Sequence, residues 1–166
     1  METMSRGVVF VHSAPAALCP HIEWAMGAAL GVPVHLDWRR QPAQPGALRS
    51  EYSWRGPVGA SAKLASALRG CQRLRFEVTE DASAIEQGQR YAFTPELGIF
   101  HAVTGPQGDI QVSEQRLRTA MVTATTVGVS LSDVLAELLG EPWDDELEVF
   151  RHAGEDTPVR WLHRVG

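Results

Sequence analysis

Gly7-Val8-Val9-Phe10-Val11-His12 is the first readable element of the chain, and the pattern that follows it decides the fold. Val8 to Val11 lacks the alternation of a half-exposed strand, as expected where both faces are covered. A helix is predicted from Pro20, which suits a first helical turn because no backbone N–H is needed there. It runs through Ile22, Met26, Ala29 and Leu30, and Gly31 with Pro33 stops it. Val34, Leu36 and Trp38 alternate as a second strand, and Gln41 to Gly46, with Pro42 and Pro45, forms a loop. A third strand is centred on Tyr52 and Trp54. Gly56-Pro57-Val58-Gly59 then turns into a second helix whose stripe is Ser61, Leu64, Ala65 and Leu68, closed by Gly70. Leu74, Phe76 and Val78 alternate as a fourth strand.

Strand, helix, strand, repeated twice over residues 7–79, is the split βαβ plan of a ferredoxin-like fold. It predicts an α+β protein: a βαββαβ antiparallel sheet in spatial order 4-1-3-2 with both helices on one face. After Glu80 the character changes. Asp81 to Gly88 is a polar connection, and Arg90–Thr94 and Gly98–Val103 form a β-hairpin around Pro95-Glu96-Leu97-Gly98. Gly105-Pro106-Gln107-Gly108 turns the chain into Ile110 and Val112. Ser113 caps a helix with Leu117, Ala120 and Met121. Another carries Val134, Leu135, Leu138 and Leu139. Pro142 opens a last helix with Trp143, Leu147 and Phe150 inward. Its first-turn acids, with Arg151 and His152 at its end, complement the helix dipole. Val159, Trp161 and His163 alternate as a tail strand. The expectation is a single domain over residues 6–166, with a core at 6–79 and a β-meander plus helical C-terminal extension at 80–166 docked on it.

Composition narrows the classes of function. The chain has 166 residues and a formal net charge of −5. Residues 1–79 hold 9 Lys/Arg against 5 Asp/Glu, and residues 80–166 hold 6 against 15. An acidic whole argues against non-specific nucleic-acid binding, which needs many cations facing phosphates. Two cysteines do not make a disulfide scaffold and point to a reducing, cytoplasmic setting. No signal-peptide pattern opens the chain. The longest uncharged stretch, Thr119 to Ser132, is too short for a bilayer, so no membrane partner is expected.

Cys19-Pro20-His21 is the foremost chemical candidate. A thiol at a helix N-terminus feels the positive end of the dipole, which favours the thiolate. His21 lies within a turn, and His12-Ser13 leave the adjacent strand end as candidate ligand contacts. The plainer account makes Cys19 a small buried cap. Cys-Pro-His lacks the spacing of a structural zinc site, so no metal is expected. In Gly56 to Lys63, Ser61 and Lys63 sit at a helix start that could bind an anion, although the spacing is not that of a phosphate loop. A turn with a solvated lysine explains it as well. His101 shares a strand face with Ile99 and Val103 and is either a base or a core histidine. Two readings follow. One is a non-enzymatic module that binds a small molecule or a protein, with no cofactor and with room for a homodimer. The alternative is an enzyme with a Cys19 nucleophile and a histidine base, His12, His21 or His101. Convergence of Cys19 with a histidine in an open cleft separates them.

Four segments also carry a likeness: Arg6 to Pro15, Leu18-Cys19-Pro20-His21-Ile22-Glu23-Trp24, Leu97-Gly98-Ile99-Phe100-His101 and Arg160-Trp161-Leu162-His163. Together they resemble an actinobacterial family known as domain of unknown function 3145, over nearly the whole chain from Arg6. The resemblance implies a bacterial cytosolic protein and brings no catalytic residues with it.

Overall fold

Alternation along the first strand sets the two faces of the molecule. The computed structural model describes residues 2–153. Within them β1 spans Met4–Pro15, and its Val9 and Val11 are buried on one side. Two helices cover that side, α1 (Cys19–Leu30) and α2 (Ala60–Arg69). Ile22 and Met26 of α1 meet Leu64 and Leu68 of α2 in the main core cluster, together with Trp54 and Phe76. Burying such side chains is worth about 1.5–3 kcal/mol each. Gly31 and Gly128 end α1 and the later helix α3 (Glu114–Val127) in left-handed conformation, as helix-terminating glycines do.

The remaining strands are β2 (Arg39–Arg40), β3 (Ala47–Pro57), β4 (Arg75–Glu80), β5 (Gly88–Thr94), β6 (Gly98–Thr104) and β7 (Ile110–Gln111). They form one 7-stranded sheet in the order β2-β3-β1-β4-β5-β6-β7, with every pairing antiparallel. From β4 to the β2 edge the order is β4-β1-β3-β2, and beyond β4 the sheet continues into the meander instead of ending. With α4 (Leu131–Leu138) and α5 (Glu141–Arg151), the described residues make a mixed α/β architecture of one antiparallel sheet and five helices. No helix among the described residues is long and apolar enough to cross a membrane. The tail strand expected at Val159, Trp161 and His163 lies outside the described residues.

Two local features depart from the sequence expectation. Val34, Leu36 and Trp38 form no strand. The segment runs along α1, where Glu23 Oε1 accepts from the Leu36 backbone N–H at 2.8 Å and the Trp38 indole at 3.3 Å. A side chain thus takes the place of a ladder partner, and pairing begins only at Arg39. The second feature is a bulge in β1 beyond Val11, visible in its register with both β3 and β4. There His12, Ser13 and Ala14 are buried in succession, since a bulge breaks alternation and re-aims side chains. Gly7 shows why β1 sits so close to its neighbours. A methyl group there would lie 1.8 Å from the Thr79 carbonyl oxygen, beside the Trp54 ring.

The other sheet face is covered by α5. Leu147, fully buried, meets Ala92, Phe100 and Ala102, with Trp143 beside them. The Trp143 indole donates to the Gly98 carbonyl at 2.9 Å. Gly140, at φ 75°, precedes α5 so closely that a Cβ would lie 2.7 Å from the Phe100 ring. The covering is partial, and the open part of this face forms the candidate site.

Candidate functional site

Where α5 ends, a cleft of about 640 Å³ opens between the helix and the sheet. Phe10 and His12 of β1 line it, with Arg49 of β3, Arg39 of β2, and Phe150 and Arg151 of α5. The Phe10 and His12 rings stack with centroids 5.9 Å apart. His12 follows Phe10 on the same face of β1, opposite Val9 and Val11, and Gln41 holds it there. The Gln41 amide donates to the His12 carbonyl at 2.7 Å and to the Phe150 carbonyl at 3.2 Å, joining β1 to α5.

Glu77 is the hub of the cleft wall. It is only 8% exposed, and an unpaired carboxylate so deeply buried would be costly. Its Oε2 lies 2.7 Å from His12 Nε2 and accepts from Arg151 Nε at 3.0 Å. Its Oε1 accepts from Arg151 Nη2 at 2.5 Å and Arg90 Nη2 at 3.2 Å. Asp144 takes the outer side of both arginines. Burial alone would push the Glu77 carboxyl up, but hydrogen bonds from His12 and Arg151, with the Arg151 charge, hold it well below the usual carboxylate range. Burial opposes the Arg151 charge, and Glu77 and Asp144 override it and keep the guanidinium ionised. Alongside, Arg75 lies over the Phe150 ring at 4.6 Å and reaches Glu146 at 3.4 Å. These contacts clamp α5 to the sheet and fix the cleft's inner wall.

The outer wall is different. The β2–β3 ladder sets Arg39 directly opposite Arg49, an arrangement that costs energy for like charges. Arg39 is balanced by exposed Asp37 at 3.2 Å. Arg49 has no ion pair or side-chain hydrogen bond among the described residues. A larger hollow of about 870 Å³, lined by Arg6, Arg55 and Asp81, also pairs two arginines across a ladder. It has no aromatic side chain in its lining, and its Arg6 is bound to Asp81 at 3.1 Å.

Of the residues singled out from sequence, His12 lies in this cleft. Ser13 is buried beside it, its hydroxyl donating to Gln44 Oε1 at 2.5 Å. Cys19 is buried at the start of α1, its thiol 3.7 Å from the Pro15 carbonyl. Burial and the neighbouring Glu23 charge push that thiol up, opposite in direction to the lowering expected of a helix start. The dipole contribution is outweighed because the thiolate would have to form away from water. His21 is exposed on α1. His101 shares its face with Ile99 but is exposed, stacked on Tyr91 at 4.6 Å and bonded to Gln89. Burial and Arg116 push its imidazole down. The structure therefore brings none of His12, His21 or His101 into a hydrogen bond with Cys19. At the start of α2, the Glu80 carboxylate accepts from the Gly59 backbone at 2.9 Å and from the Ser61 backbone and hydroxyl. The chain's own acid occupies the place where an anion would bind, and Lys63 is exposed on the next turn.

Sequence reasoning passed over Glu77, Arg90 and Arg49. Glu77 stands at a polar position of an alternating strand, which reads as a solvated face. Its signal was available only jointly with the α5 helix, whose Arg151 and Asp144 read as dipole partners.

The fold and cleft define an α/β protein with an antiparallel sheet and one polar-walled, aromatic-floored groove. The chain matches the family model described as protein of unknown function (DUF3145) over residues 8–164, and it belongs to that family. No curated protein and no solved structure matches it.

Proposed function

We propose that this chain is a non-enzymatic binding module whose cleft beside His12 and Arg49 takes a small organic anion. The carrying observation is the Arg39–Arg49 pair, held side by side by the β2–β3 ladder in the cleft lining, with Arg49 making no ion pair among the described residues. A carboxylate or phosphate between them relieves their repulsion and gains charge-assisted hydrogen bonds. The Phe10–His12 stack and the Phe150 ring supply flat apolar surface for the ligand body, the usual division of labour in small-molecule sites. Several groups that could do chemistry nearby are engaged in contacts within the chain. The Ser13 hydroxyl donates to Gln44, the Ser50 hydroxyl to the Asp37 carbonyl, and Glu77 is claimed by Arg151 and His12. The strand order β4-β1-β3-β2 with α1 and α2 on one face supports a ferredoxin-like assignment for the first half. Two free cysteines support a cytoplasmic setting, and the resemblance supports a bacterial, actinobacterial origin.

Native mass spectrometry of the chain purified from its own host, together with thermal shifts in benzoate and phenyl phosphate, tests this reading. A bound small anion, or a melting point raised by either probe and unmoved in Arg49→Ala, supports it. Mass spectra free of any adduct, with no shift from either probe, overturn it. A shift equally large in Arg49→Ala also overturns it.

A further inference from the structure

The α3–α4 hairpin stands apart from both cores. Neither helix contributes a residue to either core cluster. In α3 only Ala120 and Ala124 are buried, and in α4 nothing is. Of the 14 large hydrophobic residues exposed among the described residues, seven fall within residues 114–139, including Leu117, Met121, Val127 and Leu139. Leu117, Met121 and Val127 flank the two alanines at helical spacing, so the apolar stripe of α3 is wider than the strip that is covered. Met121 is 59% and Val127 67% exposed. Monomeric proteins seldom leave so concentrated an apolar surface in water.

Charge indicates what covers it. α3 carries Arg116 and Arg118 near its start, with Glu114 bound to Arg118 at 2.7 Å. α4 carries Asp133 and Glu137 and no cation. The Arg116, Asp133 and Glu137 side chains make no ion pair among the described residues. α3 is therefore left with a net positive start, and the charges of α4 are all acidic. Across a two-fold axis the α3 of one copy would face the α4 of the other, and the two helices carry opposite net charges. Such self-complementarity is what an isologous contact requires.

We infer that this hairpin is a docking surface for a second copy of the chain, the two hairpins closing a four-helix bundle. Its size is adequate. A 14-residue helix is about 21 Å long, and two packed side by side offer a face of the order that yields the roughly 800 Å² per partner of a stable interface. The cleft is lined by other elements than α3 and α4.

Sedimentation equilibrium on the full chain tests the inference. The expected result is a species of twice 18.2 kDa at tens of micromolar. Met121→Glu and Leu117→Glu should each weaken association at least tenfold without lowering helicity. Arg116→Glu should also weaken it, and Arg116→Glu with Asp133→Arg should restore it. A wild-type chain that stays monomeric at 100 micromolar overturns the inference, whatever else covers the hairpin. So does a dimer indifferent to Met121→Glu and Leu117→Glu. The charge swap can be read even if one apolar variant fails to fold, and failure of the swap to restore association also overturns it.

Discussion

Replacing Glu77 with glutamine should loosen the attachment of α5 to the sheet more than any other isosteric change. The carboxylate receives Arg151 twice, at 3.0 and 2.5 Å, and Arg90 at 3.2 Å, and lies 2.7 Å from His12. Charge-assisted bonds contribute about 1.5–3 kcal/mol each. Four of them would overshoot, because burying the carboxylate itself costs several kcal/mol. Breaking one partner of a buried pair costs about 3–5 kcal/mol in sum. Glutamine keeps one acceptor but turns an amide N–H₂ toward an arginine, so a loss in that range is expected. At about 2–4 °C per kcal/mol for a chain of this size, the melting point should fall by roughly 6–20 °C. Thermal melts followed by circular dichroism and tryptophan fluorescence measure it. The sign with pH follows from linkage. The folded-state carboxyl is held well below its unfolded value, so its stabilisation is complete above the ordinary carboxylate range, starts to decline within that range, and is lost only as pH falls to the lower folded-state value. The gap between the wild type and Glu77→Gln should therefore narrow from pH 6 toward pH 3. A melting point lowered by less than about 2 °C at pH 7, on the same scale, or a gap that widens in acid, would refute the reasoning.

Cys19, buried and with its thiol pushed up, should alkylate with iodoacetamide more slowly than half-buried Cys71 in the native protein; faster labelling of Cys19 by peptide mass mapping would restore a reactive-thiol reading. Leu147→Ala removes the fully buried anchor of α5 and should cost about 2–5 kcal/mol in urea unfolding. A loss under about 1 kcal/mol, below that range, would mean that α5 is not packed as described.

The elements were legible where the signal is local. Gly31 and Gly70 marked helix ends, Ser113 capped α3 through the Arg116 N–H, and Trp143, Leu147 and Phe150 faced the sheet or its cleft. Val34, Leu36 and Trp38 misled because alternation records which side chains turn inward. It does not record what the backbone bonds to, and here Glu23 supplied the partner. The Cys19 environment was half legible. Its place at a helix start could be read, but its burial and the raising effect of Glu23 are tertiary. The cleft was least legible. Opposition of Arg39 to Arg49 depends on a pairing register, and the Glu77 network joins three strands to a helix more than 70 residues away in sequence for Arg151.

The claim that the groove beside His12 and Arg49 binds a small anion is tested most directly by a ¹H–¹⁵N correlation spectrum titrated with phenyl phosphate. The account predicts saturable shifts centred on His12, Arg39, Arg49, Ser50 and Arg151, absent in Arg49→Ala. An unresponsive spectrum, or saturable shifts gathered around Arg6, Arg55 and Gly105 instead, would contradict it.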